Sequence, residues 1–150
     1  MPIDNDPAPS EAIRPRVTGV LETCLHVEDL HAATRFYEEL FGFARMASDE
    51  RFCAFDVAGK SVLLLFRRGA AFDPVNIRGG IIPGHGGSGV LHFAFAIPAA
   101  DIARWEERLA SFGIAIESRV RWERGGVSLY FRDLDNHLVE LVTPGTWPSY

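Results

Sequence analysis

The sequence predicts an α+β fold in which two βαβββ modules form an open eight-stranded barrel-like trough. A strand–helix–three-strand pattern occurs twice along the 150 residues, and a sheet of this size with one covering helix leaves its other face bare. The two bare faces must therefore meet, either within one chain or by exchange between two chains. The concave surface between them is a natural ligand cavity.

The first module is predicted over residues 18–67. Residues 20–27 have the alternating character of a strand, Asp29 is a suitable helix cap, and apolar residues recur at helical spacing from Leu30 until Gly42. Three short apolar runs follow, at 43–48, 51–57 and 61–67. The order of elements is βαβββ.

The second module is predicted over residues 90–150 and repeats this order. A strand at 90–97 leads to a cap at Asp101, a helix that ends at Gly113, and three strands at about 114–123, 127–132 and 137–142. Residues 68–89 hold half of the fourteen glycines and are predicted to be a linker. Residues 1–17 are polar and proline-rich, which predicts a disordered tail.

Composition restricts the partners and the compartment. The chain is 47% hydrophobic with a net charge of -5, and its arginines are scattered, so neither nucleic acid nor a membrane is an expected partner. No signal sequence is recognisable, and the two cysteines lack metal-site or disulfide spacing, so we expect a cytoplasmic chain with reduced thiols. The open edges of an eight-stranded trough predict a homodimer. A small molecule is the expected ligand.

Polar residues on the predicted strands indicate a metal site. Glu22 lies on the strand face away from the helix, and His92 takes the equivalent position in the second module. Glu140 is a lone carboxylate between apolar neighbours, and its unpaired burial costs several kcal/mol. Alignment of the turns places Leu64 where the second module has Glu140. Three ligands and one blank position leave coordination sites open, as a catalytic metal requires.

Other histidines need separate assignments. His26 shares a strand face with Glu22 and is an alternative first ligand. Three more lie at a helix start, in a loop and beside a turn, and we expect them on the surface; they are His31, His85 and His137.

Two segments resemble a known superfamily. Val27-Glu28-Asp29-Leu30, with Phe36-Tyr37 and Phe41-Gly42-Phe43 after it, resembles the opening segment of a vicinal-oxygen-chelate module, and residues 130–141 resemble its closing segment. The resemblance covers about residues 18–147. The superfamily includes glyoxalase I, extradiol dioxygenases, methylmalonyl-CoA epimerase, fosfomycin-resistance thiol transferases and metal-free bleomycin-binding proteins.

The resemblance implies a particular set of metal ligands. It points to Glu22, rather than His26, as the first ligand, with His92 and Glu140 as the other two. Extradiol dioxygenases and fosfomycin enzymes have histidine where this chain has Glu22. Leu134 and Asn136 replace the proline and glycine of the closing segment.

Two carboxylates and one imidazole suit divalent manganese, nickel, zinc or iron. Such an ion binds two adjacent substrate oxygens, and a carboxylate such as Glu140 serves as base when it detaches. The resemblance also implies that Tyr130, a candidate catalytic residue, and Ser128 lie where fosfomycin-type members hold substrate. Arg132 and Trp122 are further candidate substrate contacts. We therefore expect a metal-dependent enzyme with lyase, isomerase or dioxygenase chemistry. The alternative is a metal-free protein that binds a small molecule or drug, as bleomycin-resistance proteins do.

Overall fold

The computed structural model describes residues 15–150. The first βαβββ unit consists of β1 (Glu22–Val27), α1 (Leu30–Phe41), β2 (Ala44–Ser48), β3 (Phe52–Val57) and β4 (Ser61–Arg67). Asp29 caps α1 because its carboxylate accepts a hydrogen bond from the Ala32 amide. The helix ends at Gly42, whose φ of 71° is a left-handed conformation that glycine adopts without strain.

The second unit repeats the same order. It consists of β7 (His92–Ala96), a 3₁₀ turn (Ala99–Asp101), α2 (Ile102–Ser111), β8 (Ser118–Arg121), β9 (Val127–Arg132) and β10 (Leu138–Val142). The predicted pair of βαβββ modules is confirmed. The described part of the chain has two four-stranded sheets and no closed barrel.

The two sheets have the same topology. Their strand orders are β1-β4-β3-β2 and β7-β10-β9-β8, with a parallel pair at one edge of each. Glu22 pairs with Val62 in the first sheet, and His92 pairs with Leu138 in the second. Each module therefore begins its first strand at the same register position.

The helix-covered faces of the two sheets pack into one continuous core. Four aromatic side chains contact the buried clusters of both modules, namely Phe36, Phe41, Phe93 and Phe95. Leu40 of α1 is fully buried in the cluster of the second module. Tyr37 adds a buried hydrogen bond from its hydroxyl to Asp133 at 2.7 Å. The face of each sheet that no helix covers is called its helix-free face below.

The segment between the modules has more structure than a linker. It contains a short hairpin of β5 (Val75–Ile77) and β6 (Gly80–Ile82). The glycine content indicated flexibility, but several of these glycines instead allow close packing, as described below. Of the predicted tail, residues 1–14 lie outside the described residues, and 15–17 have no regular secondary structure. Neither described helix is long and apolar enough to cross a membrane.

Candidate functional site

The helix-free face of the second sheet gathers most of the predicted site residues. Leu129, Val139 and Leu141 face the core. The residues that alternate with them on the strands therefore face the opposite way. These residues are Ser128 and Tyr130 on β9 and Glu140 on β10.

His92 and Glu140 are in direct contact. The His92 Nε2 atom lies 3.3 Å from Glu140 Oε2, with the carboxylate almost completely buried and the imidazole half exposed. On the other side of the ring, Nδ1 lies 3.0 Å from the Leu138 carbonyl oxygen. A carbonyl only accepts, so Nδ1 carries the proton, and the Nε2 position points at the carboxylate. The Nε2 nitrogen and the carboxylate oxygen therefore face the same point, an arrangement in which both can bind one cation.

Ser128 and Trp122 hold the other oxygen of Glu140. The fully buried Ser128 hydroxyl donates to Glu140 Oε1 at 2.5 Å and accepts a hydrogen bond from Trp122 Nε1 at 2.8 Å. Both residues were predicted to bind substrate; in the structure the Trp122 indole donates to Ser128, and Ser128 donates to Glu140. The sequence did not predict these linked hydrogen bonds, because Trp122 lies beyond the end of β8 and the direction of its side chain depends on the following turn.

Tyr130 lies beside this carboxylate. It pairs with Glu140 across the antiparallel strands, and its ring centroid is 6.2 Å from that of His92. Burial raises the pKa of the Tyr130 hydroxyl above its usual value, and the Glu140 carboxylate adds to the rise. The hydroxyl is therefore protonated at neutral pH and can donate a hydrogen bond.

Arg132 is already paired. Its guanidinium donates to both carboxylate oxygens of Glu117, at 2.7 and 3.0 Å. Hydrogen bonds from Arg132 hold the pKa of the Glu117 carboxyl below its usual range. Arg132, a candidate substrate contact in the sequence analysis, thus has its guanidinium bound to Glu117 at the surface.

Glu22 does not join His92 and Glu140 within one chain. It is exposed at the start of β1, and residues 15–150 contain no group of three histidine, cysteine, aspartate or glutamate side chains close enough to hold a metal. The register nevertheless supports its equivalence to His92. Leu64 likewise lies two residues beyond the partner of Glu22, just as Glu140 lies two beyond the partner of His92.

His26, the alternative ligand, is buried beneath the inter-module segment. A Cβ atom at Gly87 would lie 2.8 Å from His26 Cδ2, and the His85 ring centroid is 5.5 Å from that of His26. Burial lowers the pKa of His26, and His85 adds to this effect, so the ring is neutral at pH 7. His26 Nδ1 has no hydrogen-bond partner among the described residues.

The prediction that His137 lies on the surface is wrong. Its side chain is buried, with Nδ1 accepting from the Leu91 amide at 3.0 Å and Nε2 lying 3.2 Å from the His26 carbonyl oxygen. The amide donor places the proton on Nε2, so His137 links β1 to the second sheet. Its position beside a turn gave no sign of this role. His31 and His85 are exposed, as expected.

Comparison with known proteins adds independent information. The profile of the Glyoxalase/Bleomycin resistance protein/Dioxygenase superfamily matches residues 19–141. A metallothiol transferase, FosB, from Bacillus licheniformis is 28% identical over 129 residues, or 85% of this chain and 77% of its own length.

Solved structures agree with this match. The crystal structure of a lactoylglutathione lyase from Agrobacterium tumefaciens superimposes with a TM-score of 0.80 at 29% identity, covering 89% of this chain and 99% of the other. The fosfomycin resistance protein FosX from Listeria monocytogenes, complexed with Mn(II) and sulfate, gives a TM-score of 0.64 at 26% identity, covering 85% and 91%.

Proposed function

This chain belongs to the Glyoxalase/Bleomycin resistance protein/Dioxygenase superfamily, and we propose that it is a small metal-dependent enzyme acting on an oxygenated metabolite or xenobiotic. The proposed reaction is of the lyase, isomerase or dioxygenase type, with the substrate bound through two adjacent oxygens. The relatives named as a metallothiol transferase and as a Mn(II)-bound fosfomycin resistance protein support a divalent metal.

The contact between His92 and Glu140 carries the proposal. Their nitrogen and oxygen atoms converge at 3.3 Å, the imidazole is oriented by a backbone carbonyl, and the carboxylate is buried. Orientation of a ligating histidine through its second nitrogen is a usual feature of protein metal sites. An imidazole and a carboxylate suit manganese, nickel, zinc or iron. The residues present therefore fit a divalent ion.

A second copy of the chain is the proposed source of Glu22. The helix-covered faces of both modules are occupied by their common core, and the β5–β6 hairpin covers only part of the helix-free face of the first sheet, leaving Glu22 exposed. A partner for Glu22 would therefore come from outside the chain. In a homodimer that pairs the helix-free face of one copy with that of the other, Glu22 of one copy meets His92 and Glu140 of its partner. Each dimer then contains two sites.

Each residue of the site has a proposed role. His92 and Glu140, with Glu22 of the second copy, would hold the ion, which polarises substrate oxygens and stabilises negative charge. Ser128 fixes one oxygen of Glu140 and leaves the other directed at His92. Glu140 accepts a proton from the substrate as general base, and the protonated Tyr130 hydroxyl donates a hydrogen bond to a substrate oxygen.

Subunit complementation tests this arrangement. Glu22→Ala and Glu140→Ala are each expected to lose metal binding and turnover. In a mixed dimer, isolated by two different affinity tags that are then removed, one site combines two unmodified halves and the other combines two altered halves. We expect one bound metal per mixed dimer and recovery of activity. Mixed dimers without metal, or a chain that is monomeric by light scattering, would contradict the proposal.

A metal-free small-molecule or drug-binding protein is the second candidate. It is favoured by the position of Glu22, which is exposed and does not join His92 and Glu140 within one chain, so that the described residues of a single chain hold no three-ligand site. Metal analysis of protein purified without a histidine tag separates the two. Stoichiometric metal supports the enzyme, whereas tight ligand binding by metal-free protein, unchanged on adding manganese, nickel, zinc or iron, supports the binding protein.

A further inference from the structure

A cavity lies on the helix-free face of the first sheet, beneath the β5–β6 hairpin. Its volume is about 240 Å³. Most of its lining is apolar, and the principal side chains are Phe52, Phe66, Val75, Ile77, Ile82 and Pro83. Both walls belong to the same chain, because the sheet forms the floor and the hairpin forms the roof.

The hairpin presents one face to the cavity. Val75 and Ile82 are cross-strand partners that line it, whereas the next pair, Asn76 and Ile81, does not. Ile81 is the most exposed hairpin isoleucine at 67%, whereas Ile82 and Ile77, at the rim of the cavity, are about half exposed. This alternation is that of a two-stranded ribbon with an inner and an outer side.

Close packing of glycines holds the roof in place. A Cβ atom at Gly84 would lie 1.9 Å from the Phe72 carbonyl oxygen, and one at Gly86 would lie 1.9 Å from the Phe72 ring. The His85 amide also donates to the Ala71 carbonyl at 2.7 Å. No larger residue fits at these two glycines, so the two ends of the hairpin segment pack closely against each other. The His85 ring, 4.7 Å from the Phe66 ring, connects this segment to the sheet.

The mostly apolar lining of the cavity favours an uncharged aromatic ring. Arg51, Asp73 and His85 are the only ionisable groups that line the cavity among the described residues, and Arg51 is paired with Asp49 at 3.0 Å. An apolar engineered cavity of about 150 Å³ is large enough for benzene. The larger volume here therefore accommodates a substituted single aromatic ring.

The cavity shares its sheet face with Glu22. Phe66 of the lining pairs with His26, which lies four residues along β1 from Glu22. At the rise of a strand, this separation is roughly 13 Å along the sheet. We propose that the cavity binds an aryl group of the substrate, several bond lengths from the adjacent oxygens. This assignment rests on the proposed function, because the oxygens bind at the metal site.

The first experiment requires no metal. Binding of 4-fluorobenzyl alcohol to the metal-free protein is followed by ¹⁹F NMR for the wild type, Ile82→Lys and the matched control Ile81→Lys. We expect binding by the wild type and the control, and at least a tenfold weaker affinity for Ile82→Lys. Thermal unfolding monitors the fold, and Ile82→Trp, which fills the cavity with an apolar side chain, must also weaken binding. No wild-type binding, or equal affinity in all variants, overturns the cavity assignment.

The second experiment links the cavity to the metal site. Manganese-loaded protein is titrated with 2-hydroxyhexanoate and with 2-hydroxy-6-phenylhexanoate, which share a chelating head and differ by a phenyl group. We expect the phenyl compound to bind at least tenfold more tightly, with the difference lost in Ile82→Lys and retained in Ile81→Lys. Equal affinities would refute the substrate assignment. Failure of the proposed metal site is distinguishable, because both compounds would then be insensitive to manganese while the first experiment succeeds.

Discussion

The two modules have the same backbone arrangement and different side chains at equivalent positions. His92 and Glu140 of the second module correspond in register to Glu22 and Leu64 of the first. In the proposed metal site, one module therefore supplies two adjacent ligands and the other supplies one. The internal symmetry places four equivalent positions on the two sheets, and the residue type at each position determines whether it can bind a metal.

The carboxylates of the two modules also differ in how deeply they are buried. Glu140 is 7% exposed and hydrogen-bonded to Ser128, whereas Glu22 is exposed at the beginning of an edge strand. The second module thus holds its carboxylate in position before any ligand arrives. The first module offers an exposed carboxylate, which in the proposed dimer gains its partners from the second copy.

Replacement of Glu140 by glutamine gives the largest expected effect. Size is kept and charge is removed, so we expect turnover to be abolished. Stability without metal should change by less than about 1 kcal/mol, because the imidazole partner is half exposed. Added manganese, nickel or zinc should raise the melting temperature of the wild type by mass action and leave the variant unchanged. Equal metal-dependent shifts in both proteins would show that Glu140 is no ligand.

The Ser128 contact should give the next effect. In Ser128→Ala the Glu140 carboxylate loses the donor that fixes Oε1, and loss of such an outer partner typically weakens metal binding by about 10–100-fold. Manganese titration by electron paramagnetic resonance measures this. Trp122→Phe, which removes only the indole donor to Ser128, should have a smaller effect in the same direction. A Ser128→Ala protein with unchanged manganese affinity would exclude this positioning role.

Conversion of Leu64 to glutamate makes the first module resemble the second. In the proposed dimer this adds a third carboxylate, and so a fourth ligand, at the blank position, and we expect about a tenfold gain in manganese affinity together with slower turnover, because an open position is lost. Leu64→Gln is the neutral control and should show no gain. If the glutamate variant also shows none, Leu64 does not face the ion.

The joint between the modules can be tested through Tyr37. Removal of its buried hydrogen bond to Asp133 in Tyr37→Phe should cost about 1–3 kcal/mol in denaturant unfolding at pH 7. Burial, followed by the charge of Asp133, raises the pKa of Tyr37 well above its usual value. The unfolded chain therefore loses this proton first as pH rises, and wild-type stability should fall above about pH 10. The phenylalanine variant should lack this part of the decline.

The features that could be predicted from the sequence are those that follow from hydrophobic patterns and from the internal repeat. The two βαβββ units and the register equivalence of His92 with Glu22 and of Glu140 with Leu64 follow from alternation, caps and turns. Tertiary contacts were not accessible in this way. The burial of His137 depends on a carbonyl of β1, and the β5–β6 hairpin lies in a glycine-rich segment whose close packing leaves no periodic signal.

The smallest expected effect compares one turn in each module. Ala58, at the β3–β4 turn, has a φ of 56°, and Asn136, at the β9–β10 turn, has a φ of 64°. Asparagine tolerates this left-handed conformation, whereas alanine is strained there by about 1–2 kcal/mol. Glycine removes the strain but adds entropy to the unfolded chain, so Ala58→Gly should stabilise by about 0.5–1 kcal/mol and Asn136→Gly by less. Urea unfolding measures both, and a larger gain at Asn136 would show that contacts other than backbone strain dominate these turns.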